Sequence, residues 1–237
     1  MLRFESVGVP LFPASGGSNS QTLAVASRWE ALNDALTGNA APAIRAAIAQ
    51  AIPQPNQKLA GTILFFMAAL RGGAPRNWLG VETAKLMEGE GLFNRIAEEF
   101  GIMQRLATEP AGQDWRMFLI PFLSDSQLQQ IRLFVRDHPG DGSGTENDAG
   151  VRFIIEASFS RLGPFQFDGL VQTQNMSLVI RTEQALEDRI RKDIAEIYTT
   201  SLQALGFSGG IDFRAERFFE VNPMLESGFS SNSGVTA

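Results

Sequence analysis

The spacing of apolar positions changes once along the chain. In the first part it is helical. Val25, Trp29, Leu32 and Leu36 recur at i, i+4, i+7 and i+11, one face of a helix that starts at Ser20. Asn39 to Ile52 is rich in alanine, with Pro42 where a first helical turn tolerates it, and Pro53 and Pro55 end that element. Leu59 to Arg71 predicts a third helix, stopped by Gly72-Gly73. Pro75 opens a fourth that runs through Met87 and carries Trp78 and Leu86. Phe93, Ile96, Phe100 and Met103 mark a fifth, closed at Glu109-Pro110.

After Asp114 the period falls to two. Met117 to Leu123 is an apolar run with Pro121 inside it, an edge strand or two pieces meeting at a bend. Leu128 to Val135 reads as the next strand, and residues 138–150 as a loop rich in Gly and Asp. Val151, Phe153, Ile155, Ala157 and Phe159 share one face of a strand. Phe165, Phe167, Gly169 and Val171 share the inward face of another, after the turn at Arg161-Leu162-Gly163. Met176, Leu178 and Ile180 give one more. Strands joined this closely form an antiparallel meander. Thr182 caps a long helix over 183–205, with Glu183 in its first turn, a stripe of Leu186, Ile190, Ile194, Ile197, Tyr198, Leu202 and Leu205, and Gly206 as its C-terminal stop. This helix is expected across the sheet, with Ile190, Ile194 and Ile197 against Phe153, Phe165 and Ile180. Ile211 and Phe213 begin a final strand.

The chain so read is α+β: an N-terminal helical bundle of about five helices, then an antiparallel meander packed on one long helix. Residues 1–20 form a lead-in, 21–110 a helical domain, 115–222 an α+β domain, and 223–237 a disordered tail without periodicity. There is no internal repeat.

Composition narrows the function. Apolar residues make up 44% of the chain and charged ones 19%, enough to bury a core. A net charge of -6, with no Lys/Arg block, argues against a nucleic-acid partner. The absence of cysteine excludes disulfides, thiolate zinc sites and cysteine nucleophiles. It fits a cytoplasmic protein and equally one passed unfolded through an export channel. Met1 to Pro13 lacks the apolar core of a secretory signal. Leu59 to Leu70 falls short of the ~20 residues a membrane helix needs. Bracketed by Lys58 and Arg71, it reads as a buried helix, without membrane insertion.

Candidate chemistry is sparse. His138, the single histidine, lies in a turn composition and cannot anchor a common zinc site alone. Asp141 to Asp148 begins like a calcium loop. However, Glu146 stands where glycine is wanted, and Arg152 where a bidentate glutamate belongs, so a hairpin linker is the reading. Glu88, Glu90, Glu98 and Glu99 read as solvated helix faces, and Phe153, Phe159, Phe165 and Phe167 as core. No cofactor, metal or catalytic residue is expected.

One stretch has order as well as composition. A strand ends in Phe159-Ser160-Arg161-Leu162-Gly163, and another runs from Pro164 to Leu170. A strand from Met176 to Ile180 follows, then a long helix ending in Leu202-Gln203-Ala204-Leu205-Gly206-Phe207, then a last strand. This order resembles the C-terminal domain of flagellar hook-length control proteins over residues 150–217, and loosely over 115–137. That domain has a Leu-Gly turn between alternating strands and a helix ending in a Leu-x-x-x-Gly-like segment, matched here by Leu202 to Gly206. The resemblance implies a non-enzymatic protein that binds the cytoplasmic domain of an export-gate protein and switches type III export from rod-and-hook to filament substrates. It also implies export without a cleaved signal. The chain departs from the family in its helical first half, where such proteins carry a long Pro-rich ruler.

Partner-contact candidates on this reading are Leu162, Gly163, Arg189, Lys192 and Glu196. Leu162 has a plainer role as cover for the sheet edge, and Gly163 as a turn residue needing positive φ. The alternative function is a cytoplasmic scaffold or chaperone-like binding protein unrelated to flagella. Residue chemistry weighs against a third, a small enzyme around His138 and the acidic loop.

Overall fold

The computed structural model describes residues 29–38, 40–110, 114–138, 149–159, 161–219, 221 and 223. The lead-in, the helix start at Ser20, the acidic loop at 141–148 and the tail beyond Pro223 lie outside them. Helices α1 (Glu30–Thr37), α2 (Pro42–Ala51), α3 (Leu59–Arg71), α4 (Pro75–Leu79), α5 (Val81–Gly89) and α6 (Leu92–Thr108) come first. Strands β1 (Arg116–Ser124), β2 (Gln127–His138), β3 (Gly150–Phe159), β4 (Gly163–Gln172) and β5 (Asn175–Thr182) follow, then α7 (Asp188–Ala204) and β6 (Ile211–Ala215). The protein is α+β, with helices first and a six-stranded sheet in the order β1-β2-β3-β4-β5-β6. The change from helices to strands falls at residues 110–115. The two compact units divide elsewhere, within the strands. One joins the helices up to Thr108 to Phe118–Leu133 and Ile155–Phe165, and the other holds Glu109–Met117, Phe134–Ile154 and the chain from Gln166.

In the first unit the expected fourth helix is two. Gly80 takes φ +85°, a conformation glycine adopts without strain, and α4 and α5 meet there at a break. Gly73, at φ +61°, follows the end of α3, where the N–H of Gly72 donates to Ala68 O at 3.1 Å. An aromatic cluster fills the bundle. Trp29 and Phe66 meet edge-on with centroids 5.9 Å apart, Phe66 meets Trp78 at 5.1 Å, and Trp78 stacks on Phe100 at 5.7 Å. Such pairs each contribute about 0.5–1.5 kcal/mol beyond the area they bury. Trp78 Nε1 donates to Ala51 O at 3.0 Å, so its polar atom is satisfied as well. Leu32, Ile44, Ile48, Ile96 and Met103 complete the core, as helical spacing requires.

The reading of Leu59 to Leu70 as a buried helix needs correction. Of α3, only Phe66, Ala69 and Leu70 are buried, whereas Leu64 is 66% and Phe65 53% exposed. The helix is apolar around most of its circumference, but it packs on one side. No helix among the described residues is long and apolar enough to cross a membrane.

β1 lies at an end of the sheet, where Pro121 removes no ladder bond that the sheet needs. The N–H of Leu123 donates to Pro53 O at 2.9 Å, so the segment after α2 covers part of that edge. Phe118 and Phe122 are buried, and the Arg71 guanidinium lies 5.4 Å from the Phe118 ring. Asp125 and Ser126 turn the chain into β2, with φ of +49° and +63°. Positive φ at both central positions gives the type I′ geometry that suits a two-residue hairpin.

In the second unit β5 and β6 pair in parallel, Leu178 opposite Ile211 and Ile180 opposite Phe213. The meander therefore ends at β5. A parallel neighbour needs a crossover, and α7 supplies it. Ser208 bridges Asn175 ahead of β6, and a Cβ on Gly209 would lie 1.7 Å from Met176 O, so only glycine lets the two backbones come together. α7 packs on β6, and Tyr198 Oη donates to Met176 O at 2.5 Å.

The expectation for the long helix is overturned in two respects. It starts at Asp188, not 183. Thr182 is the last residue of β5, and its Oγ1 donates to Gln184 O, so it caps nothing. Ile197 is 67% exposed, Ile190 and Ile194 are half-buried, and Leu202 is the buried residue of the helix. A crossover between neighbouring strands sits on those strands, and that footprint is narrower than the apolar stripe. Gly206 stops the helix as read: at φ +72° it donates to Gln203 O while Phe207 donates to Leu202 O, a Schellman motif. Pro223, assigned to the tail, is buried.

Candidate interaction surfaces

The candidates belong to separate compact units. Leu162 and Gly163 lie in the first. Leu162 is half-buried, and its N–H donates to Phe159 O at 3.2 Å across the β3–β4 turn. Gly163 opens β4 at φ +74°, and a Cβ built on it would meet nothing, so conformation and not space explains the glycine. Phe159 and Phe165, which flank the turn, pack edge-on at 4.9 Å.

Arg189, Lys192 and Glu196 lie in the second unit, exposed on α7. With Asp193 they form a surface of mixed charge. On its flank are Thr200, Ser201 and the side chain of Ile197. An exposed isoleucine beside free charges of both signs is the composition of an interface rim with one apolar anchor. Arg191 is tied to Asp188 one turn away.

A cluster of paired buried charges lies on residues that sequence reasoning missed. On the strands of the second unit, Arg152 Nε and Nη2 donate to Asp168 Oδ1 and Oδ2 at 3.0 and 2.9 Å. Arg181 Nη1 donates to Asp168 Oδ2 at 3.0 Å and to Gln166 Oε1 at 3.3 Å. Arg181 Nε also forms an ion pair with Glu216 Oε2 at 3.4 Å, without hydrogen-bond geometry. Gln166, fully buried, donates from Nε2 to Val221 O at 2.8 Å. Burial pushes the Asp168 carboxyl up, but the hydrogen bonds and charges of Arg152 and Arg181 outweigh it and hold it below the usual carboxylate range. Arg152, where a calcium loop would need its final glutamate, is thus a strand residue bound to aspartate. Nearby, the guanidiniums of Arg136 and Arg152 lie 4.5 and 6.0 Å from the Trp115 ring.

In the first unit Arg132 Nε pairs with Glu156 Oε2 at 3.0 Å. Glu156 is buried on the face of β3 opposite to Ala157, which is buried as well. Charges are tolerated there because they are paired.

The remaining expectations resolve individually. His138 closes β2 half-buried. Glu88 pairs with Arg76, and Glu90 and Glu98 are exposed. Glu99 does not belong to a solvated face: its Oε1 accepts the N–H of Ala31 at 2.7 Å, capping the start of α1 from α6. Burial pushes this carboxyl above its usual range despite that bond. Among the described residues no group of three or more His, Cys, Asp or Glu is placed to hold a metal ion. No family model matches the chain, and neither a curated protein nor a solved structure matches it.

Proposed function

We propose that this protein is a non-enzymatic interaction module of the flagellar hook-length control type, acting on the substrate specificity of type III export. The observation that carries the reading is the order of elements from β3 to β6. A Leu162-Gly163 turn lies between two strands, a third strand follows, and the helix after it is stopped by a Schellman glycine before a last strand. Further support comes from α7, which turns Ile197, Arg189, Lys192 and Glu196 outward where a partner would meet them. The unusual ionisable groups, Asp168 and Glu99, are engaged in holding strands and a helix start. The partner is the cytoplasmic domain of an export-gate protein. The protein acts in the cytoplasm and leaves through the flagellar apparatus without a cleaved signal.

The test uses the whole chain, because the compact units divide within β1 to β4 and a fragment cut at residue 110 would split one of them. Binding to the gate domain is expected to be weak, as a transient signal requires. Deleting the gene should give overlong hooks without filaments. Normal flagella, together with no binding to the gate domain, would assign the protein instead to a scaffold or chaperone-like role unrelated to flagella.

A further inference from the structure

β6 ends the order of strands, and its margin is built differently from that of β1 at the other end. β1 carries Pro121, and Pro53 O takes the N–H of Leu123. β6, from Ile211 to Ala215, has neither a proline nor a lysine, the residues that commonly blunt an edge. Its outward groups follow from the register. The N–H of Leu178 donates to Gly210 O at 2.9 Å, and that of Glu216 to Thr182 O at 2.8 Å, so the even-numbered residues bond β5. The N–H and C=O groups of Ile211, Phe213 and Ala215 therefore face away from β5. The N–H of Phe213 donates to Asp212 Oδ1 at 3.0 Å, a side chain and not another strand.

Two charges stand on this margin. Asp212 and Arg214 share a face of β6, and their side chains are 58% and 52% exposed. Asp212 Oδ2 accepts from Arg214 Nε at 2.9 Å, a solvated pair of the kind that contributes little to stability. The order acid, Phe, base is its own complement. In an antiparallel pair of two β6 strands centred on Phe213, each Asp212 stands opposite the other copy's Arg214, and each Ile211 opposite Ala215. The charged positions are then the non-hydrogen-bonded ones, where side chains come closest. A slip of two residues, the smallest that keeps the faces, sets Asp212 against Asp212 or Arg214 against Arg214. A parallel pair in register also opposes like charges.

From the outward backbone of β6 and this self-complementary order of charge, we infer that β6 pairs with β6 of a second copy of this chain, antiparallel and centred on Phe213. Each Phe213 N–H exchanges Asp212 Oδ1 for the other copy's Phe213 O, and the released carboxylate takes the other copy's Arg214. Main-chain bonds supply the affinity and the two ion pairs fix the register. The contact is isologous, so it closes at two copies and joins their sheets. It uses none of the outward charges of α7.

The test is sedimentation of the full chain at low salt over a wide range of concentration, where a monomer–dimer equilibrium is expected. Asp212→Arg and Arg214→Asp each oppose like charges and should weaken the dimer about tenfold or more. Mixing these two variants should give a heterodimer, because one margin is then wholly basic and the other wholly acidic. The chain with both substitutions should dimerise like the wild type. Both positions are exposed, so unchanged thermal melting at low concentration separates lost pairing from unfolding. A wild-type chain that stays monomeric would overturn the inference, as it would if another segment of this chain or a strand of a different protein takes the margin. Single variants that dimerise like the wild type, or that do not pair when mixed, would also overturn it.

Discussion

The ring of Phe153 on β3 occupies the place where Gly169 on β4 would otherwise carry a side chain. A Cβ on Gly169 would lie 2.1 Å from Phe153 Cζ. The glycine weakens its own strand, and the aromatic ring closes over the backbone it leaves bare. Gly169→Ala should therefore cost about 1–3 kcal/mol by overpacking. In a Phe153→Ala background the same change should be nearly neutral. A double-mutant cycle by urea denaturation measures the coupling, and additive effects would show that the ring simply swings aside.

The type I′ turn at Asp125-Ser126 places two non-glycine residues at positive φ. Each such residue costs roughly 1–2 kcal/mol against its preferred region, aspartate less than serine. Ser126→Gly should recover about 0.5–1 kcal/mol. A higher urea midpoint at unchanged slope is the expected reading, and a lower midpoint would mean that the serine makes a contact worth more than the strain.

Two residues on α7 separate burial from mere apolarity. Leu202 is 6% and Ile197 67% exposed. Leu202→Asp buries an unpaired charge and should destabilise by several kcal/mol, about 3 or more, whereas Ile197→Asp should stay within about 0.5 kcal/mol. If Ile197 is an interface anchor, its substitution weakens binding to the gate domain while thermal melting is unchanged.

Asp168 and Glu99 give opposite pH dependences. The Asp168 carboxyl is held below its ordinary value of 3.8, so its contribution is complete above that value and is lost as pH falls through the lower folded one. Glu99 is raised from 4.5, so the folded state holds that proton more tightly and stability rises as pH falls through the raised value toward 4.5. Glu99→Gln, which keeps an acceptor for Ala31, should melt higher at pH 7 and lose the gain on mild acidification. Asp168→Asn removes the carboxylate that Arg152 and Arg181 share and should cost about 3 kcal/mol at pH 7. Melting curves from pH 3 to 8 on the three proteins would separate the effects.

Much of this architecture is legible in the residues themselves, and the exceptions share a cause. Phe93, Ile96, Phe100 and Met103 are buried as their spacing requires, and Gly163 and Gly206 take the positive φ that their turn and cap demand. Spacing reports which side chains share a face. It does not report how wide a face the neighbours cover, and so Ile197 and Phe65 emerge into solvent from apolar stripes. Nor does it carry strand direction, so the parallel pairing of β6 was not visible. The pairing of Asp168 with Arg152 and Arg181 was not visible either, because a single charge has no partner in a linear pattern. Of the partner-contact candidates, the turn role of Gly163 was the most readable, since positive φ is a local property.

The parallel pairing of β5 with β6 also sets an order of assembly. Two residues close the hairpin at Asp125-Ser126, and Thr173-Gln174 close the one between β4 and β5. By contrast, β6 meets β5 only after the whole stretch from Glu183 to Gly210 has been brought back on itself. Each doubling of a loop adds ~0.6 kcal/mol to the entropy of closing it, and non-local pairs form slowly for that reason. β6 should therefore dock after the hairpins. Until it does, β5 is the unprotected margin of the sheet, open to pairing with a strand from another molecule.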